Sequence, residues 1–208
     1  GPDPDYGDAP VPYPTTEAEG GARHASLGPR LGSYRDGETD GVHSAGATAD
    51  DTTGTPDDED GVTFGTIMVG QLDATATVNV QNAANGARLD AWIDFNADGS
   101  WGGPGEQIAD SVAVVNGDNA LTLDVPSFSE AGASYAQFRL STAGGLAVGG
   151  PANDGEVEDY QVTVSSAVAT SGEFGPEISI SSSLRPAGLF VADIDDDGDP
   201  DILASLAE

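Results

Sequence analysis

The chain has 208 residues and carries 36 acidic against six basic side chains, for a net charge of −30. That balance excludes direct binding to nucleic acid, where phosphate recognition needs a basic footprint, and it disfavours anionic membrane surfaces. Cysteine is absent, which removes disulfides, thiol catalysis and sulfur-ligated zinc together.

Glycine (29) and proline (13) punctuate the chain too often for a helical protein. No apolar run is long enough to cross a membrane. The first segment, residues 1–61, reads as an irregular acidic arm. Asp5-Tyr6-Gly7-Asp8-Ala9-Pro10, Pro12-Tyr13-Pro14 and Asp57-Asp58-Glu59-Asp60-Gly61-Val62 show no usable period. Its tyrosines and the Leu27/Leu31 pair predict that it wraps a domain and is held there by ions. The two histidines, His24 and His43, are too few for most transition-metal sites.

From 62 to 165 strand signals recur, at 62–69, 74–81, 87–95, 107–115, 120–125, 133–141 and 157–165. Asn85-Gly86, Asn116-Gly117 and Gly144-Gly145 separate them as turns. Ala136, Phe138 and Leu140 are expected to face a core, with Tyr135, Gln137 and Arg139 facing out. Short strands with this punctuation predict an all-β fold, an antiparallel, jelly-roll-like β-sandwich.

The third strand ends in a change of grammar. Leu89, Ala91, Ile93 and Phe95 alternate with Asp90, Trp92 and Asp94, and from Asp94 oxygen donors follow at every second residue: Asp94, Asn96, Asp98. Gly99 permits a sharp turn, the Ser100 carbonyl falls at the next ligand position, and Glu106 lies one place beyond the usual bidentate glutamate. Calcium wants about six to eight oxygens, and such a loop supplies them by curling round the ion. The competing reading is an Asx-rich turn with solvated carboxylates. Trp92 and Trp101 could form a sugar-stacking platform beside the loop; the alternative is that Trp92 caps one sheet face and Trp101 covers the loop.

Residues 166–173 are a linker of small side chains, and 174–208 form a short β segment with a second acidic loop. There Asp193, Asp195, Asp197, Asp199 and Asp201 alternate around Gly198, a second calcium pattern. A weaker cluster joins Asp57, Asp58 and Asp60 to Glu156, Glu158 and Asp159 as a possible third site, against the alternative of a solvated acidic edge.

Residues 5–165 resemble the GEVED domain of secreted bacterial proteins. The resemblance rests on Gly155-Glu156-Val157-Glu158-Asp159-Tyr160, Gly21-Ala22-Arg23-His24, Trp92-Ile93-Asp94-Phe95-Asn96 and Phe138-Arg139, together with the arm motifs that start at Asp5 and Asp57. The tail is similar to part of an FG-GAP or VCBS-type repeat through Phe174-Gly175-Pro176 and the second acidic loop. These resemblances imply an accessory module of a large extracellular or cell-surface protein and bring no catalytic residues. The expectation is a non-catalytic module that binds two or more calcium ions. It would act in adhesion or as a rigid spacer, with neighbouring domains, a surface glycan or a protein as partners. The alternative is a carbohydrate-binding accessory module of a secreted enzyme.

Overall fold

Alternating side chains between residues 74 and 165 build two facing sheets. The computed structural model describes residues 3–35, 37–49, 59–168, 186–192 and 201–206. The chain divides into two units, 1–168 and 169–208. In chain order the strands are β1 Pro4–Tyr6, β2 Ala22–Ala25, β3 Arg30–Leu31, β4 Val62–Phe64, β5 Ile67–Met68, β6 Ala74–Gln81 and β7 Ala87–Ile93. They continue as β8 Gln107–Val114, β9 Gly117–Leu123, β10 Gly132–Ser141, β11 Gly150–Ala152, β12 Glu156–Ser165, β13 Pro186–Ala192 and β14 Asp201–Leu206. Among the described residues no α-helix occurs, and one 3-10 turn spans Glu17–Glu19.

One sheet runs β5-β12-β10-β7-β8, antiparallel except where β5 lies parallel to β12. The facing sheet is built on β6, with β9 on one side and β3 and β4 sharing the other. Leu89, Ala91, Ile93, Ala136, Phe138, Leu140, Val162 and Val164 from the first sheet meet Ala76, Val78, Val80, Leu121 and Leu123 from the second. Phe64, Phe138 and Tyr160 meet edge to face, with centroids 5.7–6.0 Å apart. The architecture is an all-β sandwich.

Two expectations need correction. The stretch 62–69 is not one strand: Gly65-Thr66 breaks it, so β4 pairs with β6 in one sheet while β5 pairs with β12 in the other. The segment is a corner joining the sheets, and alternation alone cannot register such a switch. Gln137 and Arg139 do not face solvent; both are buried, because the 147–150 segment and, at Arg139, His24 of the arm cover the outer face of β10.

The described part of the arm carries three short strands, β1, β2 and β3, between loops. β1, β2 and β11 form a third small sheet, β2 and β11 running parallel. It is pinned to the outer face of the sandwich by polar contacts. Asp5 accepts the Val157 N–H at 2.7 Å, and Asp159 accepts the Ala9 N–H at 2.9 Å. Arg139, 0% exposed, donates to the Ala147, Gly149 and Gly150 carbonyls and to His24 Nε2. His24 Nδ1 donates in turn to the Asp154 carbonyl. Burial and the neighbouring guanidinium hold His24 neutral, its pKa pushed down to about 3.

In the second unit β13 and β14 pair antiparallel, Ala192 opposite Asp201. They flank the acidic loop. Asp193, Asp195, Asp197 and Asp199 lie outside the described residues, as do Asp57 and Asp58; for Asp201 only the backbone is described.

Candidate metal centre

The candidate metal loop begins where β7 ends. Asp94 is fully buried and pinned by its backbone: its N–H donates to the Tyr135 carbonyl at 3.0 Å, and its own carbonyl accepts from Ser134 Oγ. From there the chain curls around the Asp94 carboxylate. The Asp98 N–H donates to Asp94 Oδ1 at 3.2 Å and to Asn96 Oδ1 at 2.9 Å, and the Gly99 N–H donates to Asp94 Oδ2 at 2.9 Å. Gly99 has φ +82°, a left-handed turn that a β-carbon would strain. Ser100 is exposed and closes the far side, its Oγ accepting the Gly102 N–H.

Glu106 returns to the same place from the other direction. Its carbonyl accepts the Ile93 N–H at 2.9 Å, so the first residue after the loop is tied to the last residue of β7. Oε2 accepts the Gly103 N–H at 2.6 Å. The extra residue in the spacing is absorbed by this Gly-Pro-Gly turn. Carboxylate oxygens of Asp94, Asp98 and Glu106 lie within 4.8 Å of one another. Glu106 is 0% exposed and its Oε1 has no hydrogen-bond partner. Burial pushes its pKa up, the Gly103 N–H works against this, and the Asp94 and Asp98 charges add to it. An acceptor-only set with one buried oxygen unused suits a hard cation, which would reverse that electrostatic sign.

The arm supplies a second layer that sequence reading missed. The Tyr13 hydroxyl donates to Asp94 Oδ2 at 2.5 Å. Its ring stacks on Trp101 at 4.4 Å between centroids and tilts against Tyr135 at 5.4 Å. Trp92 and Trp101 are 5% and 2% exposed and pack with Ala9 and Tyr13 in a second apolar cluster. The Trp101 Nε1–H is spent on the Tyr135 carbonyl. Neither tryptophan offers a free face, so the sugar-stacking platform has no surface here. Only the tyrosine in Pro12-Tyr13-Pro14 hinted at this layer, and nothing in the sequence links it to a residue 81 positions away.

Glu156, Glu158 and Asp159 do not converge on one point. Glu156 and Glu158 project from the core face of β12 at the side where β3 and β4 meet. Glu156 Oε2 accepts the Leu31 N–H. Glu158 accepts the Gly61 N–H at 3.0 Å and the Tyr160 hydroxyl at 2.8 Å. Asp159 points to the opposite face, toward Ala9. Asp60 is exposed and accepts the Ser33 N–H at 2.8 Å. In these contacts the acidic segment stitches the sheets and the arm together. Among the described residues, Asp94, Asp98 and Glu106 are the one group of three or more acidic or histidine side chains close enough to share an ion.

Residues 88–163 match the family model of the GEVED domain, a span that runs from β7 into β12 and contains both the metal loop and the Glu156–Asp159 segment. No curated protein matches the chain, and no solved structure does.

Proposed function

We propose that this region with its arm is a non-catalytic, calcium-stapled β-module of a secreted or cell-surface protein, serving adhesion or spacing between neighbouring domains. One observation carries the reading: three carboxylates converge within 4.8 Å, one of them wholly buried with an unpartnered oxygen. The ion would tie the end of β7 to the start of β8. Extracellular calcium modules bind at about 10⁻⁴–10⁻³ M, so such a staple fills outside a cell and empties inside. The alternating aspartates of 193–201 are proposed, on their pattern alone, as a second calcium loop.

Tryptophan-sensitised terbium luminescence, competed by calcium, tests the first site. Both tryptophans of the chain belong to the cluster beside this loop, and the C-terminal loop contains none. Glu106→Gln keeps an oxygen for the Gly103 N–H and removes the charge. It is expected to weaken calcium competition by about 10-fold or more. Unaltered competition in the variant would place the ion elsewhere.

A further inference from the structure

We infer that Tyr13 is the positioning residue of this cation site, and that cation binding and docking of the N-terminal arm are therefore one coupled equilibrium. The inference rests on the calcium reading above. It starts from the lone pairs of Asp94. A carboxylate offers about four acceptor sites across its two oxygens. Oδ2 already receives the Tyr13 hydroxyl at 2.5 Å and the Gly99 N–H at 2.9 Å. Oδ1 receives only the longer contact from the Asp98 N–H at 3.2 Å. The arm thus helps to fill one oxygen of Asp94 and leaves the other with acceptor capacity to spare. Outer partners of this kind orient a ligand before the ion arrives, and their loss typically weakens metal binding about 10–100-fold.

The hydroxyl can do this because its ring has nowhere else to go. Tyr13 is 4% exposed, stacked on Trp101 and flanked by Tyr135. Its neighbour Pro12 lies so close to the loop that a β-carbon on Gly99 would sit 2.3 Å from Pro12 Cγ. Further back, Asp159 holds the Ala9 N–H, and Thr15 Oγ1 and His43 Nδ1 both reach the Ala9 carbonyl. The arm and the loop therefore press on each other through the Tyr13 hydroxyl and the Pro12–Gly99 contact. Coupling of two binding events is reciprocal: whatever the docked arm adds to ion affinity, the ion adds to arm docking.

The test is Tyr13→Phe in the full chain, which keeps the ring on Trp101 and deletes the hydroxyl. Calcium affinity, read by terbium competition, is expected to fall about 10–100-fold, beyond the drop in melting temperature in chelator that losing one buried hydrogen bond to a carboxylate brings by itself. Calcium is also expected to slow tryptic cutting at Arg23 and Arg30 in the parent chain, with the variant needing correspondingly more calcium for the same protection. Parental affinity in Tyr13→Phe overturns the inference and leaves the calcium reading standing. A parent chain that shows no calcium competition at all overturns both.

Discussion

Glu156 and Glu158 show at the scale of single residues how so acidic a chain solvates its own buried carboxylates. With six arginines in the whole chain, opposite charge is scarce. Ion pairs join Arg23 to Glu17 and His43 to Glu19, both partly exposed. Backbone N–H groups take their place, from Leu31 and Gly61 for the two glutamates. The exchange is incomplete for Glu156, whose Oε1 has no partner. Burial first, then the charges of Asp5 and Glu158, pushes its pKa well above the ordinary 4.5. Burial pushes Glu158 up as well. A carboxyl that holds its proton more tightly in the folded state contributes stability that is fully present below its unfolded pKa. That contribution is lost as pH rises through the raised value. Unfolding by urea in saturating calcium should therefore show stability falling from about pH 5 upward. Glu156→Gln, which keeps an oxygen for the Leu31 N–H but cannot titrate, should flatten part of that fall; an unchanged slope would show that the proton is not held there. His43 adds a smaller fall in the same direction. Burial lowers its pKa, but the Ala9 carbonyl and Glu19 raise it by more.

Among the elements, those that pack on local rules were legible in the sequence. The strands from β6 to β12 announced themselves by alternation, apart from three-residue β11, and the turn around the Asp94 carboxylate by its donor spacing, because both patterns are written in adjacent residues. Glu106 was legible as a candidate, and the Gly103-Pro104-Gly105 turn explains how a residue one place too far still arrives. The arm was not legible. Its strands are two to four residues long, too short for a period to show, and each is defined by a partner far along the chain: Asp5 by Val157, Leu31 by Glu156, Ala22 by Gly150. The burial of Gln137 and Arg139 was hidden for a related reason, since what covers them is the loop around 147–150 and, at Arg139, His24 of the arm. The join between β11 and β12 shows how tight this covering is. Gly155 has φ +96°, and a β-carbon there would lie 1.7 Å from the Leu140 carbonyl oxygen and 3.1 Å from His24 Nδ1. Gly155→Ala should cost about 3 kcal/mol or more, read as a lower urea midpoint. A parental midpoint would mean that β12 can shift without disturbing the arm.

Taken whole, the molecule sets a lean apolar core against a net charge of −30. Like charge at this density works against the compact state, and a divalent ion at each acidic loop, as proposed, would lower it where it is most concentrated. A ligand that binds only the folded form stabilises it by mass action, about 2.7 kcal/mol per site at a hundredfold excess over its dissociation constant. One such site is large beside the usual margin of about 5–15 kcal/mol for a native domain. The decisive measurement is thermal unfolding of this chain in calcium, in magnesium and in chelator at matched ionic strength. The account predicts a calcium-specific rise in Tm of several degrees over chelator, with magnesium giving much less. Equal melting in all three would contradict it, leaving Asp94, Asp98 and Glu106 as a turn that folds without an ion.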